Sequence, residues 1–133
     1  MKIITVSAVV IVREDGWVLT VRKNGTTGFM MPGGKPETGE DARTCALREV
    51  REELGLVLES HQLADLGVFE ARALNEPDMT VRAHVFTVRG LTPGVLDTVQ
   101  AAAEIAELKW VNPATERENQ ADLNLSHIFP ALV

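Results

Sequence analysis

A chain of 133 residues that is 45% apolar can bury a core as one domain, read here as residues 1–133, without cross-links. Its net charge of −6, with no basic run and no zinc-finger spacing, excludes an electrostatic nucleic-acid footprint, so a small anionic substrate must meet locally placed cations or metal. One cysteine, Cys45, excludes an internal disulfide and fits a reducing compartment.

Lys2 precedes an apolar run from Ile3 to Val12 that imitates a short secretory leader. No A-x-A cleavage pattern follows, β-branched residues dominate, and the run is too short to span a bilayer. Residues 2–13 are therefore predicted to form a buried strand in a cytoplasmic protein with no membrane partner. Glu14-Asp15-Gly16 predicts a hairpin turn into a second strand, Trp17 to Lys23. Residues 24–28 read as a flexible loop, and Phe29-Met30-Met31 leads into a Pro32-Gly33-Gly34 turn. Thr38 stands three residues before Asp41, a capping-box pattern ahead of a helix rich in Ala, Leu, Arg and Glu that stops at Gly55.

Residues 57–64 carry no decisive pattern. Asp65 to Leu74 and Met79 to Val88 predict antiparallel strands joined by Asn75-Glu76-Pro77-Asp78, where proline presets its own φ. Residues 89–103 predict a surface loop with one helical turn, and Leu108 to Val111 a last strand. Asp122 is placed to cap a short closing helix that sends Leu123, Ile128 and Phe129 inward before Pro130. Strands on both sides of one long helix, with another helix at the end, predict an α/β fold with a mixed sheet between helical layers.

The long helix is where the chemistry gathers. At about 100° per residue, Ala46, Leu47, Val50 and Leu54 share one arc and can face a core. Glu49, Glu52 and Glu53 share the neighbouring arc at spacings of three and four, where like charges repel. Ala42 and Cys45 are small enough to leave room above them, and Cys45 is read as structural. A solvated acidic face accounts for the glutamates taken alone. Arg48 and Arg51 can flank and orient the carboxylates, however, and the Gly33-Gly34 turn brings backbone just upstream. Hard cations take such a shell of carboxylate, carbonyl, water and phosphate oxygens.

Gly34, five residues, Glu40, seven residues, then Arg48-Glu49-Val50-Arg51-Glu52-Glu53-Leu54-Gly55-Leu56 resembles the full signature of the Nudix hydrolases. Every fixed position and both apolar positions are filled over 23 contiguous residues. The resemblance implies hydrolysis of a nucleoside diphosphate linked to another group, in a three-layer α/β/α sandwich. It also implies help from a divalent cation, magnesium with manganese as the alternative. Glu49, Glu52 and Glu53 would be its carboxylate ligands, with the backbone carbonyl of Gly34 in the Gly33-Gly34 turn a further one. Arg48 would orient a neighbouring glutamate, while Glu40, Gly33 and Gly55 hold structural places in the motif. For the general base, Glu49 comes first. Glu104 is second, in the segment where MutT-like relatives often place an extra acidic metal contact, and Glu107 competes with it. The resemblance also admits a homodimer.

For substrate phosphates, Arg22 at the end of the second strand and Lys35 after the glycine turn are the best-placed cations. Arg72, Arg82 and His84 come from the middle hairpin, where alternation puts Arg82 and His84 on one face. A polar sheet face accounts for that pair as well as a ligand contact does. Base stacking needs a ring, and of the chain's two tryptophans and four phenylalanines, Phe29 beside the glycine turn is the candidate. The small nucleotide substrate reads as a nucleoside triphosphate, oxidised forms included, cleaved MutT-fashion to the monophosphate and pyrophosphate. The alternative is ADP-ribose or another sugar nucleotide. Relatives of that kind often carry a proline beyond the signature where Ala71 stands here. Dinucleoside-polyphosphate relatives often show a tyrosine, and this chain has none. A module that binds nucleotide without hydrolysing it would carry a degenerate signature, and this one is complete.

Overall fold

The computed structural model describes residues 2–133. In chain order the elements are β1 (Lys2–Val10), β2 (Val18–Lys23), β3 (Phe29–Met30), β4 (Gly33–Gly34), α1 (Ala42–Leu54), β5 (Leu63–Arg72), β6 (Met79–Val88), β7 (Ile105–Val111) and α2 (Phe129–Leu132). They form a mixed sheet in the order β4-β1-β6-β5 and an antiparallel sheet in the order β3-β2-β7. Within the first, β1 runs parallel to β6 and the other pairs are antiparallel. The predicted hairpin forms only at its tip: Val12 bridges Val18, and Leu19 N–H bonds to Ile11 O at 2.9 Å. Beyond that point the two strands part, which divides the single mixed sheet expected into two.

Strand alternation sorts the core into layers. Val9 and Ile11 pack with Ala46, Val50 and Leu54 of α1, while Ala8 and Val10 pack with Leu123, Ile128 and Phe129 near α2. The strands thus lie between helical layers, as the α/β/α reading expects.

The ends of α1 differ from expectation at one side. Asp41, not Thr38, is its N-cap, and the Asp41 carboxylate accepts the Thr44 N–H at 2.7 Å. Residues 37–40 close a turn of their own, Glu40 N–H to Glu37 O at 2.9 Å, which keeps Thr38 out of the helix. The other end stops at Gly55 as predicted, with φ 70° and its N–H on Arg51 O. Two further carbonyls there find partners in a distant loop: Gln100 N–H bonds to Leu54 O at 3.1 Å and Ala102 N–H to Glu53 O at 3.0 Å.

A 3₁₀ turn at Ser60–Gln62 leads into β5, which begins earlier than expected, and another at Val95–Thr98 is the predicted helical turn of the long loop. Asp122 does not cap the closing helix. Its carboxylate accepts the Arg72 N–H at 2.9 Å and the Ser126 hydroxyl at 2.8 Å, tying that segment to the end of β5. The segment then widens into a π turn, Asn124–Ile128, where Phe129 N–H bonds to Asn124 O, and Pro130, with no N–H to give, follows directly. Leu123, Ile128 and Phe129 are buried as expected. Among the described residues no helix is long and apolar enough to cross a membrane.

Candidate active site

β4 is two residues long and does one thing: it brings backbone between β1 and α1. At Gly33, φ is 152° and a Cβ would stand 2.0 Å from Ser7 O; at Gly34 it would stand 2.6 Å from the Glu49 Cδ. Neither position has space for a side chain. The Gly33 N–H donates to Glu53 Oε1 at 3.0 Å, and Gly34 O accepts the Cys45 thiol at 3.4 Å. Burial pushes that thiol's pKa up, which fits its structural reading.

Arg48 is the centre of the signature. Its Nε and Nη2 grip both oxygens of Glu40 at 2.8 Å, and its Nη1 reaches Glu49 and Glu52, each at 2.9 Å. Nη2 also donates to Lys35 O at 3.2 Å, which ties the loop after the glycines to the helix. The Arg48 bond, followed by the Glu37 N–H, holds the Glu40 carboxyl down to about 2. The same contacts, Glu40 foremost, hold Arg48 above its ordinary value. Arg48 is therefore an organising residue, and Glu40 is its rigid anchor. Arg51 stays exposed.

Glu53 is the outlier. Only 5% exposed, it is buried beside the Gly33 N–H, whereas Glu49 on the same arc is 17% exposed and Glu52 42%. Burial foremost pushes its carboxyl up to about 8, with Glu49 adding to the rise and the Gly33 N–H opposing it.

A cavity of about 420 Å³ opens beside these groups. Glu49, Glu53, Glu104, Lys23 and Lys35 line it together with Gly33 and Gly34. The apolar side chains Ile4, Val6, Met31, Leu74 and Val81 line it as well, with Asn124 and with Arg72, Asn75 and Glu76 from the end of β5 and the turn after it. Glu52 is absent from this lining and stays on Arg48, 42% exposed. Among the described residues no three acidic, histidine or cysteine side chains are gathered into a ready metal-holding set. The donors nevertheless fit a hard divalent cation in kind: carboxylate oxygens, one of them buried and in no ion pair among the described residues, with a glycine that leaves room on the Glu49 carboxylate.

Several predicted residues land elsewhere. Arg22 turns from the cavity and bonds Glu107 at 3.1 Å and Thr26 O at 2.8 Å. The irregular pairing of β2 with β7 between Arg22 and Lys23 instead gives the cavity Lys23, whose ammonium stands 4.0 Å from Glu104. Of the competing acids, Glu104 thus lines the cavity and Glu107 does not. Phe29 is buried under Lys109, 5.3 Å from the ring centre, so its ring is not open for stacking. Its carbonyl matters more, accepting the Ala121 N–H and the Asn124 amide. Arg82 pairs with Glu70 at 2.7 Å and His84 with Asp65, forming the polar sheet face. Lys23 and Asn124 escaped the sequence reading; a lone asparagine between Leu123 and Leu125 in an apolar closing helix was the available signal for the second.

A family model described as NUDIX domain matches residues 1–132. A Streptomyces ambofaciens "MutT-like protein" is 32% identical over 92% of this chain and 73% of its own length. A Bacillus subtilis (strain 168) protein named "Putative 8-oxo-dGTP diphosphatase" is 30% identical over 79% of this chain, which spans 64% of that relative. The crystal structure of a MutT protein from Methanosarcina mazei Go1 shares the fold, with TM-score 0.76 at 22% identity over 98% of this chain and 93% of that one. With the signature filled, folded around Arg48, and matched by the family model across the described fold, this chain belongs to the Nudix hydrolase family.

Proposed function

We propose that the chain is a divalent-cation-dependent pyrophosphohydrolase of nucleoside triphosphates, oxidised ones included, releasing the monophosphate and pyrophosphate. One observation carries this reading: a single cavity is lined by four carboxylates, Glu49, Glu53, Glu76 and Glu104, and by three cationic side chains, Lys23, Lys35 and Arg72. A phosphoanhydride resists hydrolysis because its charged oxygens repel a nucleophile, so catalysis needs neutralisation, an oriented water and a proton acceptor. Glu49, Glu52, Glu53, Glu104 and the Gly34 carbonyl are the groups that would hold magnesium, or manganese in its place. Such an ion, when bound, supplies charge neutralisation and acidifies water.

The chain's own residues do the rest. Arg48 holds Glu49 by one oxygen, leaving the other for the cavity. Lys23 and Lys35 draw in the phosphate tail, a stronger demand for a triphosphate than for the diphosphate of a sugar nucleotide. Glu49 is the first candidate to accept the proton of the attacking water, and Glu104 the second. The apolar side chains of the lining, Ile4, Val6, Met31, Leu74 and Val81, would shelter the nucleoside. A panel of nucleoside triphosphates, oxidised forms, ADP-ribose and dinucleoside polyphosphates, scored by kcat/KM with magnesium, tests the proposal. The expected products are monophosphate and pyrophosphate, and Lys35→Ala should raise KM about tenfold for triphosphates and less for ADP-ribose. Turnover of ADP-ribose about a hundredfold more efficient than of every triphosphate would overturn it.

A further inference from the structure

A sheet edge offers unpaired backbone to any strand that reaches it, and three of the four edges here are closed from within the chain. At β4 the Gly33 N–H donates to Glu53 at 3.0 Å and Gly34 O accepts the Cys45 thiol. At β3 the Phe29 N–H donates to Asn119 O, Phe29 O accepts the Ala121 N–H, and Gln120 bridges the strand. At β5 the Arg72 N–H donates to Asp122, and Glu70 O meets His127 Nε2 at 2.9 Å. An irregularity between Asp65 and Gly67 breaks that strand further. β7 is different. Among the described residues, no strand or bridge meets it on the side away from β2.

The pairing decides which groups face that open side. Leu19 N–H bonds to Ile11 O, so the Leu19 backbone points away from β7, and Trp110 opposite it points outward. Leu108, two residues back, points the same way. From Glu107 to Val111 the pairing with β2 is regular. Alternation sets Leu108 and Trp110 against the core on one face. Glu107 and Lys109 stand on the other, their side chains 48% and 45% exposed.

We infer that the β7 edge seats a second copy of this chain, laid antiparallel about a dyad at Leu108. In that register Leu108 exchanges its N–H and O with Leu108 of the second copy, and Glu107 falls opposite Lys109 twice. Those charged positions form non-hydrogen-bonded pairs, where opposed side chains stand nearest. Each ion already has a partner on its own chain, Arg22 on Glu107 at 3.1 Å and Glu116 on Lys109 at 3.3 Å. The dimer therefore joins Arg22, Glu107, Lys109 and Glu116 into a run of alternating sign, repeated by the dyad. Trp110 comes opposite the small Ala106. A dyad at Lys109 would set lysine against lysine, and one at Glu107 glutamate against glutamate, both unfavourable. One at Trp110 would leave Lys109 opposite Val111. Glu107 and Lys109 lie outside the cavity, so the contact is independent of the substrate.

Sedimentation velocity over a range of concentrations, on the full chain free of nucleotide, reads the association. The wild type should be dimeric in the micromolar range. Because the dyad repeats each contact, Glu107→Lys alone and Lys109→Glu alone should each weaken association at least about tenfold. The double variant exchanges the two charges and should return to within about threefold of the wild type. Should a single variant fail to fold by circular dichroism, amide exchange of the wild type decides: the Leu108 N–H should exchange more slowly as the protein is concentrated. A wild type that stays monomeric into the high micromolar range overturns the inference. So does a dimer unmoved by either single variant, a double variant no better than the singles, or a Leu108 amide indifferent to concentration.

Discussion

Two clusters of ionised side chains on this molecule use the same residue types to opposite effect. Around Arg48, one guanidinium is shared by Glu40, Glu49 and Glu52, with Glu53 buried nearby. On β5 and β6, Arg82 meets Glu70, and Asp65 is met by both His84 and Arg43, so cations match acids. Arg48 is 17% exposed and Arg82 46%. Solvent screens the second cluster and makes each pair nearly interchangeable with water. In the first, negative charge exceeds positive inside a sheltered wall, and that imbalance is what a divalent cation would complete.

The largest expected effect breaks the first cluster at its buried member. Glu53→Gln keeps shape and removes charge, and should cut kcat in magnesium by about two orders of magnitude or more while the protein stays folded. Near wild-type turnover in that variant would sink the assignment. The same residue makes metal-free stability depend on pH. Its folded value, pushed from 4.5 to about 8, means the native state keeps a proton that the unfolded chain has released. Stability of the wild type should therefore fall as pH rises through that window and level off above it, a slope missing in Glu53→Gln and flattened by magnesium. Urea titrations at several pH values read it directly.

Next comes the rim. Glu104→Gln should lower kcat about tenfold or more, whereas Glu107→Gln, which only frees Arg22, should leave kcat unchanged. Equal effects would remove the contrast between cavity and strand edge. The smallest effect sharpens the comparison itself. Arg48→Ala should lower Tm by about 5 °C or more, and Arg82→Ala by about 1 °C or less, by thermal denaturation. Matching losses would mean that burial does not separate the clusters.

Much of this was legible in the residues because it is local. The signature is contiguous, so the helix and its glycine stop follow from spacing along one chain segment, and the resemblance supplied a glutamate beside Arg48, though not the grip on Glu40 eight residues back. β6 matched its predicted span from Met79 to Val88 because alternation there is uninterrupted. What escaped depends on distant pairing. Which of Arg22 and Lys23 faces the cavity is decided by an irregularity against β7, some eighty positions on. Phe29 is buried because the Gln120 segment lies beside it. Asp122 looked like a cap because its local sequence suits one, and the Arg72 N–H claimed it. Glu53 shares its arc with the exposed Glu52 and the half-buried Glu49, and only the packed sheet and β4 show that its side of the arc is closed.

The loop that reaches the end of α1 has a consequence for how this chain can change. Gln100 and Ala102 are pinned to Leu54 and Glu53, and Glu104 O holds the Asn24 N–H. Upstream, Leu91, Val95, Leu96 and Val99 pack against the core, so slack in the segment is confined to the exposed turn at residues 92–94. Insertions at residues 92–94 would lengthen that loop without disturbing the site, whereas one added residue between Ala102 and Glu104 would move an acid out of the cavity. Amide exchange at Gln100 and Ala102 as slow as in the last turn of α1 would mark this boundary between the part of the loop free to diversify and the part bound to the chemistry.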